Sequence, residues 1–416
     1  ADRRRAQSEE LVNFMLVDLQ KQAFEAARPD LTLGIAAKAD AYFSSLPEED
    51  FDDNALSQKA LGLRQSGEAL IDQGKLSEAL PPLFESLLIA ERLSNIRPED
   101  TKTQIELSNS YFYVGHVHFL RGEMTQARTY FEATLPIVDN AVSSEPQNAE
   151  WLKERGYAYT NMGRILELEG LLDRAHGVYE RVMETNMRLH QLAPDNREWE
   201  LEVGFAHNNL GKLLVALGNL KNAREHYRAD VEIKERIYKS DTSKNEWRNY
   251  HAVSQFFYGQ ILAAMGDLQE AEGRLTAAKS EFGQLKTMSP DAAYLDVRLA
   301  RVDRELADVY WAQGDIELAA SHAESSIARL DRLSATDTSN VSWQRDLADS
   351  IALAADLARR NGNPTAISAY LGRGAPIAER LYEQEPDNIY TQRIYINMML
   401  IDALANATTE TAQSSA

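Results

Sequence analysis

The sequence predicts an all-α solenoid of about seven antiparallel helix pairs, with helical caps at both ends. Three observations predict it. Glycines stand at positions 74, 122, 170, 218, 266, 314 and 362, every interval being 48 residues. Between them apolar residues recur at spacings of three and four, as in Leu201, Phe205, Leu210, Leu213, Leu214 and Leu217. No segment sustains the alternation of a strand. A fixed period of this size marks a repeat architecture, in which one unit cannot bury its apolar faces alone and must stack on its neighbours.

Three further registers keep the same ruler. Gly67, Gly115, Gly163, Gly211, Gly259, Ala307 and Ala355 stand seven residues before the first series. Ala79, Ala127, Ala175, Ala223, Ala271, Ala319 and Ile367 stand five after it. Pro98, Pro146, Pro194, Thr242, Pro290, Thr338 and Pro386 mark the unit boundary, and Trp151, Trp199, Trp247 and Trp343 follow it by five.

Each register has a physical role. In ALGNLKNA (216–223) Gly218 takes the left-handed conformation that ends a helix, and Leu220, two residues later, packs the turn down. Small residues such as Gly211 and Ala223 let two helices approach closely. In APDNREW (193–199) a Pro ends one helix, Asn196 caps the next and Trp199 anchors it. Two helices of about 20 residues, each roughly 30 Å long, fit in one unit.

The expected organisation is an irregular helical cap over 1–50, seven repeats over 51–387, a capping helix over 388–405 and a disordered tail over 406–416. Within the cap, one helix reaches about residue 27 and a second covers 31–46. Leu11, Val12, Met15, Leu16 and Leu19 form one broad apolar face there, able to cover the end of the stack.

Composition narrows the function. The 416 residues include 64 acidic and 44 basic side chains, for a formal charge of -20. Such a surface repels phosphate backbones, which argues against general nucleic-acid binding. There is no cysteine, so disulfides, thiolate catalysis and Cys-ligated metals are excluded. No apolar run approaches the roughly 20 residues of a membrane span. The chain begins without Met and reads as part of something longer. Its compartment, cytoplasmic or periplasmic, stays open.

The unit resembles a tetratricopeptide repeat, a helix–turn–helix of 34 residues with a Leu-Gly pair, a turn Gly, an Ala, an aromatic and a closing Pro. Leu210-Gly211, Gly218, Ala223 and Tyr227 match in order and spacing. So do Met162-Gly163, Gly170, Ala175 and Tyr179, and Val114-Gly115, Gly122, Ala127 and Phe131. Each unit here is longer by about two turns per helix. Repeats six and seven depart, with Ala323 and Leu371 where the aromatic is expected. The resemblance implies a right-handed superhelix and a non-catalytic scaffold that holds protein or peptide segments on its concave face.

The opening RRRAQSEELVNFMLVDLQ (3–20), placed ahead of the repeats, is also similar to the membrane-proximal segment of multi-domain bacterial signalling proteins. There an effector domain and a membrane helix precede a long-repeat sensor region. That resemblance implies a membrane helix before Ala1.

No catalytic, cofactor or metal motif emerges. GFAHNNLGKL (204–213) has six residues between its glycines and Leu after Lys, unlike a phosphate loop. His116 and His118 lie two apart and face different ways on a helix. Glu48-Glu49 and Asp52-Asp53 read as solvated linker charge.

Binding is the better expectation. In clamp-type members of the family, Asn, Lys and Arg side chains on the first helices grip a carboxylate. The positions flanking Leu-Gly give Tyr113 and His116, then Asn161 and Arg164, then Asn208, Asn209 and Lys212, then Phe257 and Gln260. Repeats six and seven turn acidic there, at Asp308 and Asp356. These positions predict capture of an acidic or carboxylate-ended segment through charge-assisted hydrogen bonds. The alternative is a small-ligand sensor with its ligand held between helices. Both terminal helices, the second with IYINMMLIDAL (394–404), offer faces for homo-oligomerisation.

Overall fold

The computed structural model describes residues 14–19, 34–35, 38–39, 41–43, 52–72, 75–337, 340–386 and 388–414. Fifteen α-helices occur among the described residues, and seven pairs follow the ruler. The pairs are α1 (Asp53–Asp72) with α2 (Leu76–Ile96), α3 (Thr101–Leu120) with α4 (Met124–Ser144), and α5 (Ala149–Leu168) with α6 (Leu172–Leu192). Next come α7 (Arg197–Ala216) with α8 (Leu220–Ser240), and α9 (Asn245–Ala264) with α10 (Leu268–Met288). The last are α11 (Ala293–Gln313) with α12 (Ile316–Thr336), and α13 (Val341–Arg360) with α14 (Pro364–Gln384). A final helix, α15 (Ile389–Ser414), begins 48 residues after α13. The chain is all-α, a helical-repeat solenoid. It divides into two compact units, residues 1–165 and 166–416, where the ruler by itself marks no break.

The repeat residues do local work. The turn glycines at 122, 170, 218, 266, 314 and 362 all have positive φ, from 69° to 90°. A side chain there would cost about 1–2 kcal/mol. Asn148, Asn196 and Asn340 accept the backbone N–H of Trp151, Trp199 and Trp343, so cap and anchor are one device. Trp151 is fully buried, whereas Trp199 and Trp343 are half-buried.

The close approach at Gly211 explains the departure in repeat six. A Cβ on Gly211 would lie 2.8 Å from the Tyr227 ring, and one on Gly259 would lie 2.8 Å from Leu275. Repeat six has Ala307 in place of that glycine and Ala323 in place of the large partner, both buried. Volume added on the first helix is removed from the second, and packing is kept.

At the N-terminal end the described residues show a π-helical turn, Met15–Leu19, where a regular α-helix was expected. Leu16 is buried with Ala39 and Phe43, and its carbonyl accepts Gln65 Nε2 of α1 at 2.9 Å. Leu11, Val12 and most of the expected cap lie outside the described residues. At the other end, helix replaces the expected disordered tail as far as Ser414. No Gly or Pro interrupts the chain after Ile401, and once a helix is nucleated each further residue adds a hydrogen bond. No described helix is long and apolar enough to cross a membrane.

Candidate functional site

Each compact unit carries its own cavity. In the first unit a space of about 360 Å³ lies among α3, α4 and α5. Its walls include the aromatic rings of Phe112, Tyr113, Phe131 and Tyr157, the amides of Asn109 and Asn161, and the carboxylate of Glu154. Glu154 has no hydrogen-bond or ion-pair partner among the described residues, and burial pushes its pKa up. Nearby, Arg64 pairs with Glu68 and with Glu106.

In the second unit a cavity of about 680 Å³ is lined by α7–α9, α11, α13 and α15. Lys212, Arg301, Arg304, Arg345 and Arg393 face Glu305, Asp346 and Asp349, giving an excess of cations in a strongly acidic protein. Phe256, Phe257 and Tyr390 supply apolar wall. Arg301 grips Asp346 with two bonds of 2.8 and 2.7 Å. Arg304 pairs with Asp349 and Glu305, and Arg393 reaches Asp349 at 3.0 Å. Burial opposes the Arg304 charge, but Asp349, Glu305 and Asp346 outweigh it and raise its pKa. Arg345 differs. Its Nε is enclosed and has no hydrogen-bond partner, and no carboxylate pairs with it among the described residues.

α15 encloses this second cavity. Tyr390 OH donates to Glu167 Oε1 at 2.6 Å, across 223 residues of sequence. Tyr179 OH donates to the other oxygen, Glu167 Oε2, at 3.2 Å.

The residues singled out from the sequence separate into several environments. Lys212, Phe257 and Gln260 line the second cavity, with Lys212 Nζ 4.5 Å from the Phe257 ring centre. Tyr113 and Asn161 line the first, where Asn161 Nδ2 donates to the Tyr157 carbonyl at 2.9 Å. His116 lies against Phe112 and Phe119, and burial, with Arg164 adding to it, pushes its pKa down to about 4. Arg164 is exposed over the Phe119 ring at 4.8 Å. Asn209 is half-buried beside the second cavity's α7 wall without lining it.

Asn208 requires correction as a groove residue. Its Nδ2 lies 3.4 Å from Asp230, which also pairs with Lys234 at 2.7 Å in a sealed interior. Asn208 stands one turn before Lys212 on α7, and at that level the side chain meets Asp230 of α8 and not the cavity.

Sequence reasoning missed Glu154, Tyr157 and Asn109 in one cavity, and Arg301, Arg345, Asp346, Asp349, Tyr390 and Arg393 in the other. The signal was available. Stepping back one and two turns from Asn161 gives Tyr157 and Glu154, and the ruler maps these onto Asp349 and Asp346.

A tetratricopeptide-repeat family model matches residues 208–242, which lie in the fourth helix pair. A second tetratricopeptide-repeat model matches residues 300–325. The chain is a tetratricopeptide-repeat protein. No curated protein matches it in sequence. Among solved structures, this tetratricopeptide-repeat chain is similar to the apo form of RapI, at 13% identity and a TM-score of 0.55, covering 94% of this chain and 98% of that one. It is also similar to a Rap protein complexed with Competence and Sporulation Factor, at 13% identity and a TM-score of 0.51, covering 90% and 99%. At such identity the likeness establishes fold. As a tetratricopeptide-repeat protein the chain is a non-catalytic protein-interaction scaffold.

Proposed function

We propose that the arginine-lined cavity of about 680 Å³ in residues 166–416 is the recognition groove, and that it takes an acidic or carboxylate-ended segment of a protein or peptide partner. The carrying observation is Arg345, whose enclosed Nε has no hydrogen-bond partner and whose side chain pairs with none of the cavity's three carboxylates. Leaving a buried donor unpaired costs about 1–3 kcal/mol, more for a charged group, and an incoming carboxylate removes that cost. Lys212 and Phe257 add a cation and an apolar shelf. The Rap protein solved with Competence and Sporulation Factor supports the reading, since a similar fold there holds a bound factor.

In this reading the chain is the recognition region of a larger signalling protein. Ile396, Met399 and Leu400, exposed on α15, offer a surface for self-association. A second reading, a small-ligand sensor, draws on the Tyr390–Glu167 closure, which favours a compact ligand over a long strand.

Titration calorimetry with an acidic peptide ending in a free carboxylate tests the proposal against the same peptide amidated. The free acid binds more tightly, and R345A loses at least about tenfold, the worth of one charge-assisted bond. Equal binding by R345A and wild type overturns the reading. Preference for a free acidic amino acid over the peptide selects the small-ligand form.

A further inference from the structure

We propose that the cavity of the first unit is a binding site for a primary ammonium group, taken between the Glu154 carboxylate and the rings of Tyr113 and Tyr157. The site is separate in residues and in charge from the proposed recognition groove.

A carboxylate taken out of water without a partner is costly, and folded proteins pair such groups or bind cations to them. Glu154 lines the cavity and has no donor among the described residues. The surrounding charge does not supply one. Arg64 is committed to Glu68 and Glu106, and Lys153 is exposed over the Tyr157 ring at the rim, with its Nζ 5.7 Å from the ring centre and no bond to Glu154. Lys153 and Arg64 act on Glu154 from a distance against Glu150 and Glu106, and none of the four bonds to its carboxylate.

The repeat itself shows what is missing. Asp346 occupies the Glu154 register four repeats later, and Arg301 holds it from 45 residues upstream. The residue 45 upstream of Glu154 is Asn109, whose short neutral amide makes no hydrogen bond among the described residues. A cation that the chain supplies in the second unit is absent in the first, and its place is cavity.

The walls suit an alkylammonium. Aromatic faces attract cations, more strongly when desolvated. Lys153 over Tyr157 already displays that contact at the rim. The Asn109 and Asn161 amide oxygens can accept the remaining N–H donors, and a volume of about 360 Å³ holds a short chain. A lysine side chain and a peptide amino terminus both present this chemistry.

The test uses the full chain and n-butylammonium as probe, followed by calorimetry at neutral pH with n-butanol as the uncharged control. Butylammonium binds and butanol does not. E154Q weakens binding at least about tenfold, and Y157A weakens it severalfold. E154Q melts at or above the wild-type temperature, since it removes an unpaired, half-buried charge. Two peptides then separate the sources, one with a free amino terminus and no lysine, the other acetylated with one internal lysine. Unchanged butylammonium affinity in E154Q, no wild-type binding up to about 10 mM probe, or a lower E154Q melting temperature would each overturn the proposal. None of these outcomes depends on whether an acidic peptide binds near Arg345.

Discussion

Glu154 in the first unit and Asp346 in the second stand at one register of one repeat, four units apart, yet their surroundings are opposed. Asp346 is held by two bonds from Arg301, while Glu154 faces a cavity with Asn109 in the arginine's place. Three residues further along, Tyr157 corresponds to Asp349 and Phe112 to Arg304, so two aromatic side chains stand where the second unit has an ion pair. The frame around them is unchanged. The same turn glycine, the same Asn cap and the same buried Ala recur in both units. The comparison teaches that backbone and groove are specified by different residues. Helix ends and close approaches are fixed by a few repeated small, capping and aromatic residues. Groove chemistry is written at positions the frame leaves free.

The comparison can be broken first at the frame. Trp151 is fully buried in the first unit, and Trp199 is half-buried in the second. Trp151→Ala should lower stability by about 3–5 kcal/mol, and Trp199→Ala by clearly less, in urea denaturation followed by circular dichroism. Equal losses would show that exposure does not rank the anchors. A smaller loss, about 1–3 kcal/mol, is expected for Gly211→Ala, because the added methyl meets Tyr227. Pairing it with Tyr227→Ala should recover part of that loss, as Ala307 and Ala323 coexist in repeat six; no recovery would remove the volume-exchange account.

Titration behaviour sharpens the contrast within the first unit. His116 is held neutral by burial and by Arg164, with its pKa pushed down to about 4 from 6.5. The unfolded chain binds that proton at higher pH than the folded one. Stability from this group is therefore whole above about pH 6.5 and falls as pH drops towards 4, by about 2 kcal/mol after allowance for partial solvent access. Glu154 and Glu68, which burial shifts upward, act with the opposite sign over the acidic range. The difference between His116→Phe and wild type isolates the histidine. The variant should gain relative stability steadily from pH 6.5 to pH 4, and a pH-independent difference would refute the assignment. The smallest effect expected is Tyr390→Phe, which removes the bond to Glu167 and should cost about 1 kcal/mol. Thermal denaturation that does not distinguish it from wild type would show that the closure adds no stability.

The fold was legible because its determinants are local and repeated. Gly218, Asn196 and Trp199 each report on a few neighbouring residues, and seven copies remove the ambiguity of one. The grooves were only partly legible. Lys212, Phe257 and Gln260 were visible because they flank the Leu-Gly pair, whose orientation the resemblance supplied. Asn208 was misplaced because its partner Asp230 lies on another helix, a relation that no local pattern reveals. Arg301 with Asp346, and the missing partner of Glu154, were invisible for a different reason. They are relations between side chains 45 residues apart, and they appear only once adjacent first helices are side by side. The final helix was underestimated because a polar, aperiodic stretch can extend an existing helix that it could not start.

The most direct test of the central claim is the variant Asn109→Arg, which writes the second unit's solution into the first. Butylammonium and acidic-peptide affinities would be measured by calorimetry for wild type and variant. If groove chemistry is carried by the free register positions on a constant frame, Asn109→Arg loses butylammonium binding. It also melts at or above the wild-type temperature and binds the acidic peptide as wild type does. Retained butylammonium binding in a folded Asn109→Arg protein, or loss of both ligands together, would contradict the account.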